Sequence, residues 1–352
     1  MDQMPSRRKR MSRSVLWWIV LLLVCAMLIV LEYIPLPYYV YAPGTVVPLS
    51  PIVTVKGGHK TEKGEFMLTT VYVIDAKNIY DLLYALTLPD HQILPQSEVS
   101  ANYSYQEYLA LEDQMMISSH DDAEIAALSA LHLPYHVVFT GYQVFSVDKN
   151  SKARHLLQPG DTLLSIDGYS LTSVVALGDF LQKAHVGQRV TVKVLRGTKP
   201  ITLSFSLISL ATKPPQAGIG VNVVGTIKVI TPYKTTVDTG SINGPSAGLM
   251  LSLEMVNQLE KKVDLTRGYR IAGTGTISPD GIVGQIGGIT HKVYAANLAH
   301  VNYFFVPKDM VKGDTNEAHA MLALRQLHTA MKIVPVHTLA QAIAFLKKLS
   351  PR

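Results

Sequence analysis

An uninterrupted apolar run covers residues 15–31, where no side chain is polar or charged. Aromatic residues mark its two ends: Trp17, Trp18, Tyr33, Tyr38 and Tyr39. The length is at the short end for a membrane-spanning helix, and aromatic side chains are enriched at membrane interfaces. A cleaved signal peptide is the alternative, but the following segment LEYIPLPYYVYAPG lacks the small-residue site that cleavage needs. We therefore expect an uncleaved anchor with residues 15–31 in the lipid bilayer.

The hydrophobic pattern changes twice between the anchor and residue 134. Residues 35–75 have the pattern of short strands broken by turns, whereas residues 76–130 show the three- and four-residue recurrence of helices. Asp121 or Asp122 is the predicted N-cap of the last of these helices. Residues 35–130 are thus predicted to form a membrane-proximal region of strands followed by helices.

The second half of the chain divides at a proline-containing segment, ATKPPQAG. Before it, the pattern predicts a strand, a short helix, a QPGD turn, a strand, an amphipathic helix and a hairpin over residues 197–200. After it, we expect two strands near residues 219–230, a helix from Pro245 to about Lys261, and alternating strands and helices. The predicted class is α+β multidomain. The predicted parts are a tail and anchor (1–34), a membrane-proximal region (35–130), a small β-rich domain (131–210), a linker (211–217) and a C-terminal domain (218–352).

Charge is concentrated at the N-terminus. Of the formal net charge of +6, the first fourteen residues carry +4, and the other 338 residues carry only 27 basic and 25 acidic groups. The basic groups therefore form a tail and not a nucleic-acid-binding surface. Basic residues flanking an anchor stay in the cytoplasm, so the chain after residue 35 is expected outside. The single cysteine, Cys25, lies in the predicted span, so the exterior part has no disulfide.

Ser246 lies in a G-x-S-x-G pattern, Gly244 to Gly248. In a Ser-His-Asp hydrolase this pattern follows a buried apolar strand, but the preceding residues KTTVDTGSIN are too polar for one. Histidines that could act as the base follow the serine: His291, His300, His319, His328 and His337. None of them has a sequence context that marks it, so a histidine base remains an open alternative.

Lys292 is a second candidate for the base. If Thr290 is the N-cap, Lys292 is the second residue of a helix and faces the positive end of the helix dipole. Small apolar neighbours on that helix would also exclude water, and both effects disfavour the charged amine. Lowering a lysine pKa by about three units makes the amine usable as a general base near pH 7.

Two segments resemble known families. HLLQPGDTLLSIDG (155–168), within its strand and helix order, resembles a PDZ domain. In that family the loop entering the second strand binds a peptide carboxylate, and the resemblance places Gly141, Tyr142, Gln143 and Val144 in that loop. GPSAG (244–248), GTGTISPDGIVGQIGG (273–288) and HKVYAANLAH (291–300) look like the proteolytic domain of Lon-type proteases across about residues 218–350.

The second resemblance implies a Ser-Lys dyad. By position, Ser246 would be the nucleophile, Lys292 its base, and Thr274 the residue that hydrogen-bonds and orients the lysine. Many family members carry an acidic residue just before the glycine of the serine motif, where this chain has Asn243. Pro245 at the first helical position would leave backbone N–H groups near Ser246 to stabilise an oxyanion.

No cofactor is expected. The chain lacks G-x-x-x-x-G-K-[ST] for nucleotide and H-E-x-x-H for zinc. Anchor, PDZ-like module and Lon-like domain together resemble the membrane-anchored, ATP-independent Lon-like peptidases of Gram-positive bacteria. The expected partners are exported peptides or proteins and the bilayer, with no nucleic acid, nucleotide or metal. The alternatives are a catalytically inactive surface PDZ scaffold and a Ser-His-Asp esterase.

Overall fold

The structure, a computed structural model, describes residues 13–352 apart from 60–62, 89, 101–102, 211, 213 and 261–262. Most of the predicted cytoplasmic tail, residues 1–12, lies outside the described residues. The chain forms two units: Met1–Ala42 with Tyr72–Asn102, and Pro43–Val71 with Tyr103–Arg352. This division differs from the predicted domains, because parts of the membrane-proximal region belong to the same unit as the C-terminal domain.

The elements up to residue 130 are α1 (Arg13–Glu32), β1 (Tyr38–Pro48), β2 (Val53–Val55), β3 (Glu65–Asp75), α2 (Ile79–Leu86), β4 (Gln92–Pro95), α3 (Gln96–Val99) and α4 (Tyr105–Ala130). Ser104 caps α4 in a capping box with Glu107, and the helix continues without a break to Ala130. The predicted helix start at Asp121 or Asp122 is therefore wrong, since both residues lie inside this 26-residue helix.

The first unit contains α1, α2, α3 and β4. All of α1 is unburied, and its length and composition allow it to cross a membrane, although a signal sequence meets the same criteria. The Tyr38–Tyr41 part of β1 pairs antiparallel with β4. Val40, Ala76, Leu82 and Ala85 form the small core of this unit.

The middle of the chain contributes β5 (His136–Val147), β6 (Thr162–Ile166), β7 (Tyr169–Ser170), α5 (Ala176–Lys183), β8 (Arg189–Arg196), β9 (Lys199–Ser206), β10 (Ile208–Leu210), β11 (Gln216–Gly218) and β12 (Val221–Ile230). One sheet has the order β12-β5-β6-β8-β9, with β7 paired to β6. Alternating side chains such as Val190, Val192 and Val194 point into its core. The predicted short helix after β5 is a turn at residues 152–156.

Residues 211 and 213 of the predicted linker (211–217) lie outside the described residues, and its last two residues, Gln216 and Ala217, belong to β11, which pairs with β10. The two strands expected near residues 219–230 are one bulged strand, β12, which pairs with β5 along its whole length. The predicted C-terminal domain (218–352) includes this strand, but its hydrogen bonds place it in the PDZ-like sheet. The ends of this module meet, since the Thr231 hydroxyl donates to the Pro134 carbonyl at 3.0 Å.

The remaining elements are β13 (Thr235–Val237), a 3-10 turn (Pro245–Ala247), α6 (Gly248–Leu259), β14 (Arg270–Gly273), β15 (Thr276–Ile277), β16 (Val283–Gly284), α7 (Ile289–Leu298), β17 (Tyr303–Pro307), α8 (Asn316–Arg325), β18 (Lys332–Val336) and α9 (Leu339–Lys348). Within the second unit, strands lie in the order β18-β17-β14-β3-β1, and the first four pair in parallel.

Helices cover both faces of this parallel sheet. Ile271 and Phe305 point to one face, where they pack in a core with Leu253 of α6. Their neighbours Ala272 and Phe304 point to the other face, into a core with residues of α7 and α8. This alternation follows the two-residue period of a strand. The sheet therefore packs against helices on both faces. The predicted mixed α and β class is confirmed.

Candidate active site

A tight turn presents Ser246 at the start of α6. Gly244 has φ +93°, a backbone conformation that favours glycine, and Pro245–Ala247 form a single 3-10 turn before the α-helix begins at Gly248. The predicted continuous helix from Pro245 is therefore interrupted at its first turn. Ser246 is half-buried at this turn.

Lys292 lies one turn inside α7. The helix starts after Gly288, which has φ +69°, and the Lys292 N–H donates to the Gly288 carbonyl at 3.2 Å. Lys292 is thus the fourth residue of the helix and not the second, because the glycine begins the helix two residues earlier than Thr290 as N-cap would. The helix dipole acts mainly on the first turn, so the dipole argument weakens and burial becomes the decisive factor.

The structure brings Ser246, Lys292 and Thr274 together. Lys292 Nζ donates to Ser246 Oγ at 2.5 Å and to Thr274 Oγ1 at 3.1 Å. The Thr274 hydroxyl donates in turn to the Ser246 carbonyl at 3.0 Å, and the Gly275 N–H reaches the same carbonyl at 2.9 Å. Because its proton is committed to that carbonyl, the Thr274 oxygen is fixed as an acceptor for the lysine.

Burial sets the electrostatics of the lysine. Lys292 is 3% exposed and Thr274 is 1% exposed. Removal from water lowers the Lys292 pKa from 10.5 to about 7, and the negative charge of Glu112 acts in the opposite direction. A substantial fraction of the amine is therefore neutral near pH 7. A neutral amine 2.5 Å from a hydroxyl can accept its proton.

Helix α4 packs against the serine turn, which the motif analysis did not predict. The Glu112 carbonyl accepts the Gly244 N–H at 3.0 Å, and the Ser119 hydroxyl donates to the Pro245 carbonyl at 3.1 Å. Both residues precede the PDZ-like module, more than 100 positions from the serine motif. No local spacing relates them to Ser246, so only a resemblance that extended into this helix could have identified them.

The predicted carboxylate-binding loop is not a loop. Gly141, Tyr142, Gln143 and Val144 lie inside β5, where Tyr142 and Gln143 pair with β12 on one side and with β6 on the other. The Tyr142 hydroxyl donates to the Ser173 carbonyl at 2.7 Å and accepts the Leu177 N–H at 3.2 Å. Tyr142 therefore fixes the start of α5. The four residues lie in the sheet formed by β12, β5, β6, β8 and β9, whereas Ser246 lies in the turn before α6.

Two family models match the chain. The PDZ domain family matches residues 143–196, and the Lon protease (S16) C-terminal proteolytic domain matches residues 234–347. The second match contains Ser246, Thr274 and Lys292. The chain therefore contains a PDZ domain and a Lon-type (S16) proteolytic domain, the combination of a Lon-like peptidase with a PDZ module. This Lon-like peptidase is accordingly a serine peptidase.

Solved structures of PDZ domains are among those similar to part of this Lon-like peptidase. Those of the SdrC-like proteins of Listeria monocytogenes and Listeria innocua are 28% and 31% identical, with TM-scores of 0.23. Each alignment covers 24% of this chain and 88% or 92% of the other. A Geobacillus thermodenitrificans structure is 29% identical over 24% of this chain and 95% of its own, with a TM-score of 0.22. No curated protein matches the chain.

The geometry weighs against a histidine base in this Lon-like peptidase. The hydrogen bond that the structure gives to the Ser246 hydroxyl comes from Lys292. No strand runs directly into the serine, since β13 ends at Val237 and turns follow it. In the described part of the chain, no group of three or more His, Cys, Asp or Glu residues is placed to hold a metal ion.

Proposed function

We propose that this Lon-like peptidase is an ATP-independent, membrane-anchored endopeptidase that cleaves exported peptides or proteins with a Ser246–Lys292 dyad. The observation that carries the proposal is the 2.5 Å contact between Lys292 Nζ and Ser246 Oγ in a site where the Lys292 pKa is about 7. At that pKa the lysine can serve as base and, once protonated, as acid.

The reaction has two halves. Lys292 takes the Ser246 proton as Oγ attacks the peptide carbonyl, and the resulting ammonium gives that proton to the leaving amine. Water then attacks the acyl carbonyl while Lys292 takes its proton. The ammonium returns that proton to Ser246 Oγ as the acyl group leaves. Thr274 holds the amine in line with the serine, and backbone N–H groups that follow Pro245 in the turn stabilise the oxyanion.

Matched substitutions test the dyad. Ser246→Ala removes the nucleophile, and Lys292→Arg keeps the positive charge but cannot lose its proton in the working range. Both should abolish cleavage of a fluorogenic peptide, whereas Lys308→Arg, at an exposed position, should leave it unchanged. Activity retained by Lys292→Arg would refute the lysine base. Activity lost on replacing a downstream histidine would favour the esterase.

Location and nucleotide independence are tested separately. If α1 is an anchor with its N-terminus in the cytoplasm, protease added to intact cells digests the part after residue 35. The purified full chain in detergent should cleave peptide equally well with and without ATP. Full protection of the chain in intact cells would reverse the orientation, and a requirement for ATP would overturn the nucleotide-independent mechanism.

Substrate recruitment is proposed for the PDZ domain, through addition of a peptide strand to an edge of its sheet. β12 occupies the edge of β5, so an added peptide strand must pair with β12, the end strand in the order of described strands. A Cβ placed on Gly225 of β12 would lie 3.6 Å from Val174, so the segment that leads into α5 lies beside this strand. Strand addition beside a helix is a common mode of peptide recognition.

Deletion of residues 135–230 tests recruitment. The deletion must include β12, because removing residues 134–209 alone would leave β12 without its partner β5. Since Pro134 and Thr231 are in hydrogen-bond contact, a short glycine linker can join the ends. Cleavage of a short unselective peptide should persist while cleavage of the natural substrate falls sharply. Equal losses in a folded deletion variant would show that the PDZ domain helps to form the active site.

A further inference from the structure

Glu112 contacts the serine motif in two ways that the mechanism above does not use. Its carbonyl accepts the Gly244 N–H at 3.0 Å. Its carboxyl oxygen Oε2 lies only 2.6 Å from the position that a Cβ on Gly244 would take. The acidic side chain therefore lies directly against the glycine that precedes the serine turn. Helix α4, which lies outside the matched proteolytic segment, supplies it.

The carboxyl of Glu112 is also the charged group that acts on the dyad lysine. Burial raises the Glu112 pKa, and the positive charge of Lys292 lowers it. The same attraction raises the Lys292 pKa against the effect of burial. The side chains bonded to the Lys292 amine are the neutral hydroxyls of Ser246 and Thr274, so the charge that acts on this pKa comes from Glu112.

The chemistry gives this charge a role at one step. When Ser246 Oγ bonds to the substrate carbonyl, its proton is on Lys292, and the ammonium is 3% exposed to solvent. The serine oxygen is then bonded to carbon and is a weaker acceptor, which leaves Thr274 as the main neutral partner of the ammonium. An uncompensated buried charge is unfavourable by several kcal/mol, so an anion nearby would lower the barrier.

We propose that Glu112 is a positioning residue that holds the serine turn through Gly244 and stabilises the Lys292 ammonium formed when Ser246 is deprotonated. The inference rests on the proposed Ser-Lys mechanism. No proton moves to Glu112 in this step: the proton travels from Ser246 Oγ to Lys292 Nζ and on to the leaving amine. Asn243, beside the motif glycine, carries no charge, so α4 supplies the acidic group from elsewhere in the chain.

Glu112→Gln in the full chain removes the charge and keeps the shape. Without the carboxylate the Lys292 pKa falls, so the acid limb of the kcat/KM profile should move to lower pH by about one unit. The plateau should fall about tenfold, mainly in kcat, because the ammonium of the intermediate is less stable. Asp113→Asn is the matched control: Asp113 is an exposed neighbour on α4 whose charge acts on His120, so both limb and plateau should stay unchanged.

A purely structural role for Glu112 would lower the plateau without moving the limb, and that result would overturn the proposal. If Glu112→Gln does not fold, Glu112→Asp is measured, whose shorter side chain should give a smaller shift in the same direction. No shift in that folded variant would refute the proposal.

A second readout is independent of activity. NMR titration of lysine side chains in a Ser246→Ala background should show a lower Lys292 pKa when Glu112→Gln is added. An unchanged value there would also refute the inference. Absence of activity in the unmodified chain would instead refute the proposed function and leave this titration valid.

Discussion

Replacing Lys292 with methionine should stabilise the protein while it abolishes catalysis. Lys292 is 3% exposed, and burial lowers its pKa from 10.5 to about 7. A group that binds a proton less readily in the folded state than in the unfolded state destabilises the fold at low pH. Methionine has a similar length and no charge, so the substitution removes that electrostatic cost and roughly preserves the packing.

The size of the effect follows from the pKa change. At about 1.4 kcal/mol per pKa unit, the fall of the Lys292 pKa from 10.5 to about 7 corresponds to roughly 5 kcal/mol of folding free energy at or below pH 7. The variant also loses the lysine hydrogen bonds to Ser246 and Thr274, which contribute about 1 kcal/mol each. Glu112 loses its counter-charge as well. We expect a net gain of about 2 kcal/mol at pH 6.

The sign of the pH dependence is fixed by linkage. Between pH 7 and about 10.4 the unfolded chain binds a proton at Lys292 that the folded chain does not, so wild-type stability rises with pH in this window. The advantage of Lys292→Met should therefore shrink by about 1.4 kcal/mol per pH unit above pH 7, vanish near pH 8.5 and reverse by pH 10. Glu112 acts in the same direction, because without Lys292 its ionisation at higher pH is more costly.

Unfolding is best followed by far-UV circular dichroism in guanidinium at pH 6, 8 and 10. Both tryptophans, Trp17 and Trp18, lie in α1, so their fluorescence would not report on the proteolytic domain. Lys308→Met, at an exposed position, serves as the control and should show no pH-dependent change. A Lys292→Met variant that is less stable than wild type at pH 6, or a difference independent of pH, would refute the assignment of a desolvated lysine.

Three further predictions concern the same domain. The kcat/KM profile of the wild-type chain should rise through pH about 7 as Lys292 loses its proton, and a profile flat from pH 5 to 9 would contradict the lysine base. Thr274→Ala should lower kcat by about tenfold to a hundredfold with little change in KM. Thr274→Ser should retain most activity, because the serine hydroxyl can make the same hydrogen bonds. Equal losses in both variants would argue that packing and not hydrogen bonding matters. Gly273→Ala should lower the free energy of unfolding by about 2 kcal/mol or more, since the new Cβ would lie 2.7 Å from Met250 Sδ. Gly178→Ala is the control: a Cβ at this position of α5 meets open space, so the free energy of unfolding should stay the same or rise slightly.

Local features of the sequence determined several elements without the tertiary structure. The apolar run at residues 15–31 predicts a helix because a spanning segment needs only length and absence of charge, and α1 covers it. The alternation in QRVTVKVLRG predicts a half-buried strand, and β8 has the expected alternating burial. The order of the three motifs around Ser246, Thr274 and Lys292 was also readable, since a family resemblance preserves type and spacing.

The pairing of strands that are far apart in sequence is visible only in the tertiary structure. The alternation in β12 and β5 shows that both are strands, but periodicity does not reveal that they pair with each other. For the same reason, the resemblance predicts a loop at residues 141–144, although their pairing with β12, and that of Tyr142 and Gln143 with β6, makes them part of a strand. Strand pairing is a long-range choice that depends on which edges the whole sheet leaves open.

The electrostatics of the site depend on the fold in the same way. The sequence indicates a lysine among small apolar residues, but the pKa of about 7 arises from burial by segments that are distant along the chain. The Lys292–Ser246 contact joins residues 46 positions apart, and Glu112 reaches the site from before the PDZ domain. Desolvation and charge pairing depend on which groups lie within a few ångströms in space. The number of residues between two groups along the chain does not give that distance.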